Sequence, residues 1–133
     1  MAMRHWLFSG LTCLALALGC SGRDVSLPTT FPVTGSVVTD KGKPYTGGSL
    51  QFHPDSKEDI TVIGDIAKDG TFRLRTLKGT TNIEGAPAGS YEVTVIPPLG
   101  PDRKAIFSTF TMPSKYKIEA RENHLEIRAD PPP

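Results

Sequence analysis

Apolar side chains recur at every second position in several short segments of the chain, and glycine, proline or aspartate separates these segments. Within one of them, Leu50 and Phe52 alternate with the polar Gln51 and His53. Successive side chains of a strand point to opposite faces, so the alternation predicts half-buried strands. The predicted strands are Val33–Thr39, Ser49–His53, Ile60–Ala67, Thr71–Thr76, Ser90–Val95 and His124–Ala129, with a short extra strand at Lys117–Ala120. Helical periodicity is almost absent.

The residues between these segments favour tight turns. Asp69-Gly70 lies between two alternating runs and predicts a hairpin with a primed turn, because both residue types tolerate a positive φ. The run from Asp40 to Pro44 predicts another turn. A single sheet would leave one apolar face in water, so two sheets must stack face to face. We predict an all-β fold, a single antiparallel β-sandwich of about seven strands over residues 32–129.

The N-terminal segment predicts export followed by lipid attachment. Arg4 precedes an apolar run that ends at Gly19-Cys20, and the polar Ser21 follows at once. This run is shorter than the about 20 residues that a spanning helix needs, and the layout is that of a secretory signal peptide. The pattern resembles the lipobox of bacterial lipoproteins, with Ala17 where leucine is usual. The resemblance implies a signal peptide at 1–19 and acylation of Cys20, and several acyl chains anchor a protein stably.

The two segments that flank the predicted sandwich, the charge balance and the cysteines give further expectations. Residues 20–31 are polar and contain proline, which indicates a flexible tether, and residues 130–133 form a proline-rich tail that cannot extend a sheet. The chain has 15 basic and 14 acidic residues, interleaved throughout. A nucleic-acid partner is therefore not expected, because such proteins carry a basic patch. Cys13 would leave with the signal and Cys20 would be acylated, so no internal disulfide is expected.

Five pieces in order carry a resemblance to a known family. They are Val33-Thr34-Gly35-Ser36-Val37, Gly42-Lys43-Pro44, Gly47–Pro54, Asp69–Leu74 and Gly85–Val95. The series resembles the carboxypeptidase regulatory-like domains, which are transthyretin-like, prealbumin-type Greek-key sandwiches common in small bacterial envelope lipoproteins. The resemblance implies a non-catalytic accessory module and supplies no active site. A hydroxyisourate hydrolase of the same fold ends in Tyr-Arg-Gly-Ser, whereas this chain ends in Asp130-Pro131-Pro132-Pro133, which argues against that activity.

Searching for catalytic and metal-binding residues yields no constellation. Ser49 follows two glycines but lacks the Gly-x-Ser-x-Gly elbow of a hydrolase, and a strand start explains those glycines. His53 and His124 fall on outward positions of their strands. A copper site with two histidines would also need a cysteine thiolate, which the processed domain lacks. We therefore predict no catalytic residue, no metal ligand and no cofactor.

Two loops leave binding alternatives open. Asp55, Glu58 and Asp59 could hold calcium, but the Asp-x-Asp-x-Asp-Gly pattern is absent, and the sequence favours a solvated acidic loop. Tyr45 and Tyr116 flank loops where aromatic rings could stack on a glycan. Packing in the core or at its rim is the alternative for Tyr116 and especially for Tyr91, whose setting after Gly89 resembles a corner tyrosine that bonds back to the main chain.

The outward Arg73 and Arg75 could meet anionic lipid or polymer, but we expect them to pair with acids across the sheet. An edge strand could also recruit another chain through unpaired main-chain groups. The sequence thus favours a lipid-anchored structural or interaction module at the bacterial cell envelope, with its partner, protein or glycan, unidentified. Ser21 after the anchor favours the outer membrane. The alternatives are a glycan- or calcium-binding accessory module and a periplasmic hydrolase.

Overall fold

The computed structural model describes residues 19, 26–105 and 108–129, and all the regular structure within those ranges is strand. The strands are β1 (Val33–Val38), β2 (Ser49–Pro54), β3 (Thr61–Asp65), β4 (Thr71–Arg73), β5 (Arg75–Lys78), β6 (Thr81–Glu84), β7 (Gly89–Ile96), β8 (Phe110–Thr111), β9 (Tyr116–Ile118) and β10 (Asn123–Arg128). A small sheet has the order β10-β1-β4, and a large sheet has the order β6-β5-β3-β2-β7-β8, with β9 also paired to β7. The prediction of an all-β sandwich is confirmed.

The core lies between the two sheets and contains the inward members of each alternating segment. Phe52 packs edge-on against Tyr91, with ring centroids 5.9 Å apart, and lies 6.4 Å from the ring of Phe72. Burying an aliphatic or aromatic side chain of this kind stabilises the fold by about 1.5–3 kcal/mol. The predicted inward residues that are buried are Leu50, Phe52, Phe72, Leu74, Tyr91, Val93, Val95 and Ile127. Alternation therefore identified the core correctly at these positions.

One predicted strand is divided between the two sheets at Leu74. β4 pairs with β1 in the small sheet, and β5 pairs with β3 and β6 in the large sheet. The Leu74 N–H donates to the carbonyl of Val33 (2.9 Å), and its own carbonyl accepts from the Gly85 N–H (2.9 Å). Both sheets face the same core, so inward side chains continue at every second position through the break. The alternation consequently gives no sign of the crossing.

The turn at Asp69-Gly70 exists, but its form differs from the prediction. The Gly70 N–H donates to the Ala67 carbonyl (2.9 Å), and the Ala67 N–H donates to the Thr71 carbonyl (2.8 Å). Gly70 has φ 82° and Asp69 is not among the residues with positive φ, so the turn is not a primed one. It leads from the large sheet into the small sheet. The expected hairpin is therefore a corner between sheets.

Three pairings add to the predicted arrangement. β1 and β10 run parallel, in register from Val33 opposite Asn123 to Val38 opposite Arg128, which departs from a purely antiparallel sandwich. β6 forms a hairpin with β5, in register from Arg75 opposite Glu84 to Lys78 opposite Thr81. The short strand β8 pairs with β7. Parallel pairing is open to β1 and β10 because almost the whole domain connects them, so no tight turn imposes an antiparallel direction.

Residues 26–31, the described part of the segment before the sandwich, run beside β6. Phe31 and Ala86 exchange two main-chain hydrogen bonds of 2.9 and 3.0 Å, and the Thr30 hydroxyl donates to the Glu84 carbonyl at 2.8 Å. The Lys78 ammonium donates to the Ser26 carbonyl at 2.7 Å. Within the described residues, no helix offers the length and apolar character that crossing a bilayer requires.

Candidate functional site

The outer face of the small sheet carries a row of three polar side chains from three adjacent strands. Thr34 of β1 lies opposite His124 of β10 on one side and opposite Arg73 of β4 on the other. All three occupy outward positions because their neighbours in sequence turn inward to the core. The Thr34 hydroxyl and the His124 Nδ1 are 3.4 Å apart, at the long end of hydrogen-bond distance.

This row forms part of a cleft of about 400 Å³ at the corner between the sheets. Asp65 and Ala67 enter the cleft from the end of β3, across the turn that leads into β4. The lining residues are Thr34, Gly35, Asp65, Ala67, Thr71, Phe72, Arg73 and His124. Three ionisable side chains of different types, His124, Arg73 and Asp65, therefore share one open depression. Hydroxyls, an imidazole and a guanidinium are groups that could bind a small carboxylate or phosphate.

The two arginines at this corner are paired with acids, across the sheet as predicted for Arg75 but between the two sheets for Arg73. Arg73 lies 3.0 Å from the Glu84 carboxylate, a contact that joins β4 of the small sheet to β6 of the large one. Arg75 lies 3.5 Å from the Asp65 carboxylate, on the outer face of the large sheet. These side chains are largely exposed, and exposed ion pairs contribute about 0–1 kcal/mol. An anionic ligand would have to compete with Glu84 for Arg73.

His53 and His124 are exposed, as predicted, and they lie on different sheets. His53 is on β2, where its Nε2 lies 3.2 Å from the Thr94 hydroxyl, and His124 is on β10. Each imidazole therefore has a threonine hydroxyl as its neighbour. Within the residues that the structure describes, no three His, Cys, Asp or Glu side chains are grouped so as to hold a metal ion.

The acidic loop after β2 is tied to the segment before β9. The Lys115 ammonium donates to both Asp55 carboxylate oxygens at 2.9 Å. This hydrogen bond and the charge of Asp55 raise the pKa of Lys115. Because Asp55 is engaged by a cation, it offers less to a calcium ion than the sequence pattern indicates. Glu58 and Asp59 are exposed in the same loop.

The tyrosines occupy packing positions. Tyr45 is 7% exposed and Tyr91 is 1% exposed, and burial raises the pKa of each to about 12. The Tyr91 hydroxyl donates to the Pro87 carbonyl at 2.7 Å, which confirms the predicted corner tyrosine. Tyr116 is half-buried against the core, and its pKa is raised by burial. Tyr45 therefore cannot offer a ring face to a glycan without moving out of the core.

Ser49 begins β2, which confirms that the preceding glycines mark a strand start. Gly47 and Gly48 both have φ 79°, and a Cβ on Gly48 would overlap the Ile96 carbonyl. Cys20, the predicted lipidation site, lies outside the described residues. Thr34 and Asp65 belong to the cleft but were not singled out from the sequence. No local motif marks them, because only the pairing of β1 with β4 and β10 brings them beside His124 and Arg73.

Comparison with known proteins adds little to this geometry. No protein-family model matches the chain, and no curated protein matches it. Among solved structures, the crystal structure of an (S)-allantoin synthase is similar, with 17% identity and a TM-score of 0.40. That similarity covers 74% of this chain, which spans 39% of the length of that one. A similarity at this level supports no statement about activity.

Proposed function

We propose that this protein is a lipid-anchored, non-catalytic structural or interaction module of the bacterial cell envelope. The observation that carries the proposal is the order of segments along the chain. An apolar run after Arg4 ends at Cys20, and a short stretch then leads into a sandwich whose first strand begins at Val33. Acylation at Cys20 would hold this domain at a bilayer surface with the membrane as its first partner.

The pairing of polar groups in the cleft supports a non-catalytic role. Arg73 is held by Glu84 and Arg75 by Asp65, while the imidazole of His124 lies beside the hydroxyl of Thr34. A hydrolytic centre needs a nucleophile, a base and a third group that orients the base. The described residues bring a hydroxyl to His124, but no acid is hydrogen-bonded to its other ring nitrogen. This arrangement is typical of a stabilised surface.

Membership of the carboxypeptidase regulatory-like group is part of the proposal. It is supported by the five sequence pieces from Val33 to Val95 together with the all-β sandwich. An accessory module of this kind would act through what it binds rather than through chemistry of its own. Residence at the outer membrane, with the domain on the periplasmic or surface side, follows from Ser21 behind the anchor and is likewise proposed.

Changing the anchor residue tests the proposal. We expect the wild-type chain in the membrane fraction with its N-terminus at an acylated Cys20, and Cys20→Ser in the soluble fraction with no acyl mass. Cys13→Ser is the matched control, because it removes a thiol from the predicted signal and should leave fractionation unchanged. The proposal is wrong if Cys20→Ser stays in the membrane fraction like wild type, or if the isolated protein retains residues 1–19.

A second candidate function is a periplasmic hydrolase or small-anion binder that uses the cleft. The pair of His124 and Thr34 at 3.4 Å, beside Arg73, is the observation that favours it. Replacing His124 by Ala should then abolish turnover or binding of small carboxylate or phosphate compounds, while His53→Ala, on the other sheet, should not. Equal behaviour of the two variants and wild type across such compounds would remove this candidate.

A further inference from the structure

β10 is the outermost strand of the small sheet and the longest strand at an edge of either sheet. β1 covers one side of β10, and no pairing among the described residues covers the other side. The Asn123 N–H donates to the Pro32 carbonyl and the Ala129 N–H donates to the Val38 carbonyl, both at 2.9 Å. Main-chain groups of alternate residues point to the same side of a strand. The N–H and C=O groups of the even-numbered residues therefore face the open side.

The side chains on these even positions alternate in charge. His124, Glu126 and Arg128 are exposed on the outer face of the small sheet, and Arg128 lies 3.4 Å from Glu126 along the strand. The sequence continues the alternation with Asp130, which lies outside the described residues. Read in the opposite direction, a basic-acidic-basic-acidic order becomes acidic-basic-acidic-basic. A strand with this order is complementary in charge to an antiparallel copy of itself.

We propose that β10 pairs antiparallel with β10 of a second copy of this chain, about a twofold axis at Ile127. This register places Glu126 opposite Arg128 of the second copy, and Arg128 opposite Glu126 of the second copy. Each of these pairs would exchange main-chain hydrogen bonds, because the N–H and C=O groups of both residues face the open edge. The two small sheets would join into one continuous sheet.

Charge also favours this register over the one whose twofold axis lies at Glu126. In the register with its axis at Glu126, the Glu126 carboxylates of the two copies would be directly opposite, and His124 would face Arg128. Like charges directly opposite destabilise a strand pair, whereas opposite charges contribute about 0.2–1 kcal/mol per pair. Charge therefore disfavours the register with its axis at Glu126 and favours the register with its axis at Ile127. Contact between identical surfaces closes as a dimer and stops further growth.

The other sheet edges are less suited to this role. β6 has four residues, and residues 26–31 lie next to it: the Thr30 hydroxyl donates to the Glu84 carbonyl at its end, and Phe31 pairs with Ala86 just after it. β4 has only three residues, and its Thr71 carbonyl already accepts from the Ala67 N–H. β8 and β9 are two and three residues long. None of these offers an open row of main-chain groups as long as that of β10.

Charge exchange at the two exposed positions tests the pairing on the full chain, kept in a mild detergent. Wild type should form dimers in light scattering and sedimentation. In the proposed register, residue 126 of each copy faces residue 128 of the other. Glu126→Arg and Arg128→Glu each place like charges at both of these contacts, so each variant alone should weaken the dimer about tenfold. Mixing the two single variants restores opposite charges at both contacts and should restore dimers, as should the double exchange E126R/R128E. Glu92→Arg on the large sheet is the control and should dimerise like wild type.

A second measurement does not depend on charge. Amide protons of Glu126 and Arg128 should exchange more slowly with solvent as the concentration of the chain rises, while that of Glu92 should not change. Monomers at the highest soluble concentration would overturn the inference, and so would dimers that neither single variant weakens. The inference rests on the proposed role as an interaction module and not on the anchor at Cys20. A chain that stays monomeric yet remains acylated would refute the dimer and leave the envelope proposal intact.

Discussion

The large and small sheets face the same core but differ in how their edges are finished. The large sheet ends at β6, beside which residues 26–31 are hydrogen-bonded, and at the short strands β8 and β9. The small sheet ends at β10, a six-residue strand whose open side carries no described partner. Charged side chains along this strand restrict which strand can pair with it, and in which register. The difference indicates that the small sheet is the side available for contact.

The largest effect that we expect comes from adding one carbon to the small sheet. A Cβ on Gly35 would overlap the Leu125 carbonyl and lie 2.7 Å from the Phe72 ring, so Gly35→Ala must push β1 away from β10. We expect a loss of about 3 kcal/mol in the free energy of unfolding, measured by urea denaturation. In the large sheet, the Cβ of Gly64→Ala would lie 2.9 Å from the flexible end of Leu74 and 3.0 Å from the Arg73 carbonyl oxygen, a looser fit than at Gly35, and the expected loss is about 2 kcal/mol. Equal losses would contradict the tighter packing of the small sheet.

The start of β10 depends on the buried side chain of Asn123. Its Oδ1 accepts from the Glu119 N–H at 2.9 Å, and its Nδ2 donates to the carbonyls of Arg121 (2.6 Å) and Glu119 (3.0 Å). Asn123→Ala would leave these main-chain groups without partners and should lower stability by about 2 kcal/mol. Asn82→Ala, at an exposed position of β6, should change stability by less than about 0.5 kcal/mol. Comparable unfolding midpoints for the two variants would show that Asn123 does not hold this turn.

In the large sheet, the corresponding polar contact is that of Tyr91. Removing its hydroxyl in Tyr91→Phe leaves the Pro87 carbonyl without its 2.7 Å donor and should cost about 1 kcal/mol. Tyr116→Phe is the control, because the described residues show no hydrogen bond to its hydroxyl. Thermal unfolding of the two variants should separate them, and a loss in Tyr116→Phe as large as that in Tyr91→Phe would count against the corner contact.

The dependence of stability on alkaline pH also tests the burial of the Tyr91 and Tyr45 hydroxyls. The pKa values of Tyr91 and Tyr45 are raised from 10.0 to about 12 by burial, with the charge of Glu58 adding to the effect at Tyr91. Because the folded state keeps the proton longer, this contribution to stability is complete below pH 10 and is lost between pH 10 and 12. At pH 10.5 we expect a small decrease in the urea midpoint relative to pH 9. The decrease should be smaller still in Tyr91→Phe. A wild-type urea midpoint that is the same at pH 9 and at pH 10.5 would contradict the burial of these hydroxyls.

The smallest effect is expected where the two sheets meet at their surface. Arg73 of β4 and Glu84 of β6 form an ion pair of 3.0 Å, with side chains 69% and 66% exposed. A double-mutant cycle with R73A and E84A should give a coupling energy below about 0.5 kcal/mol, lower still in high salt. A coupling above about 1 kcal/mol would show that this pair, rather than the shared core, fixes the corner.

Period-two patterning was sufficient to predict the sandwich but not its connections. It placed Phe72 and Leu74 in the core, and both are buried. It could not show that the chain leaves the small sheet at Leu74, because the even-numbered residues face the core both before and after this crossing. The parallel direction of β1 and β10 was also hidden, since alternation describes which face a residue occupies and not which strand lies beside it.

The cleft shows the same limit at the level of individual side chains. His124 and Arg73 were each predicted to point outward, and both are exposed. Their meeting at Thr34 depends on two strand registers that join residues about 40 and 90 positions apart in sequence. By contrast, the corner contact of Tyr91 with Pro87 spans only four residues and was readable from the local pattern. Local geometry could thus be predicted, and long-range pairing could not.

The parallel ladder between β1 and β10 also has a mechanical consequence. A pull on the start of β1 and a pull on the end of β10 act along the ladder in opposite directions. All its hydrogen bonds would then share the load in shear rather than open one after another. We expect a higher rupture force in optical tweezers for this pulling direction than for one that peels β10 away sideways. A domain anchored as proposed would therefore resist tension between the bilayer and a partner bound at β10.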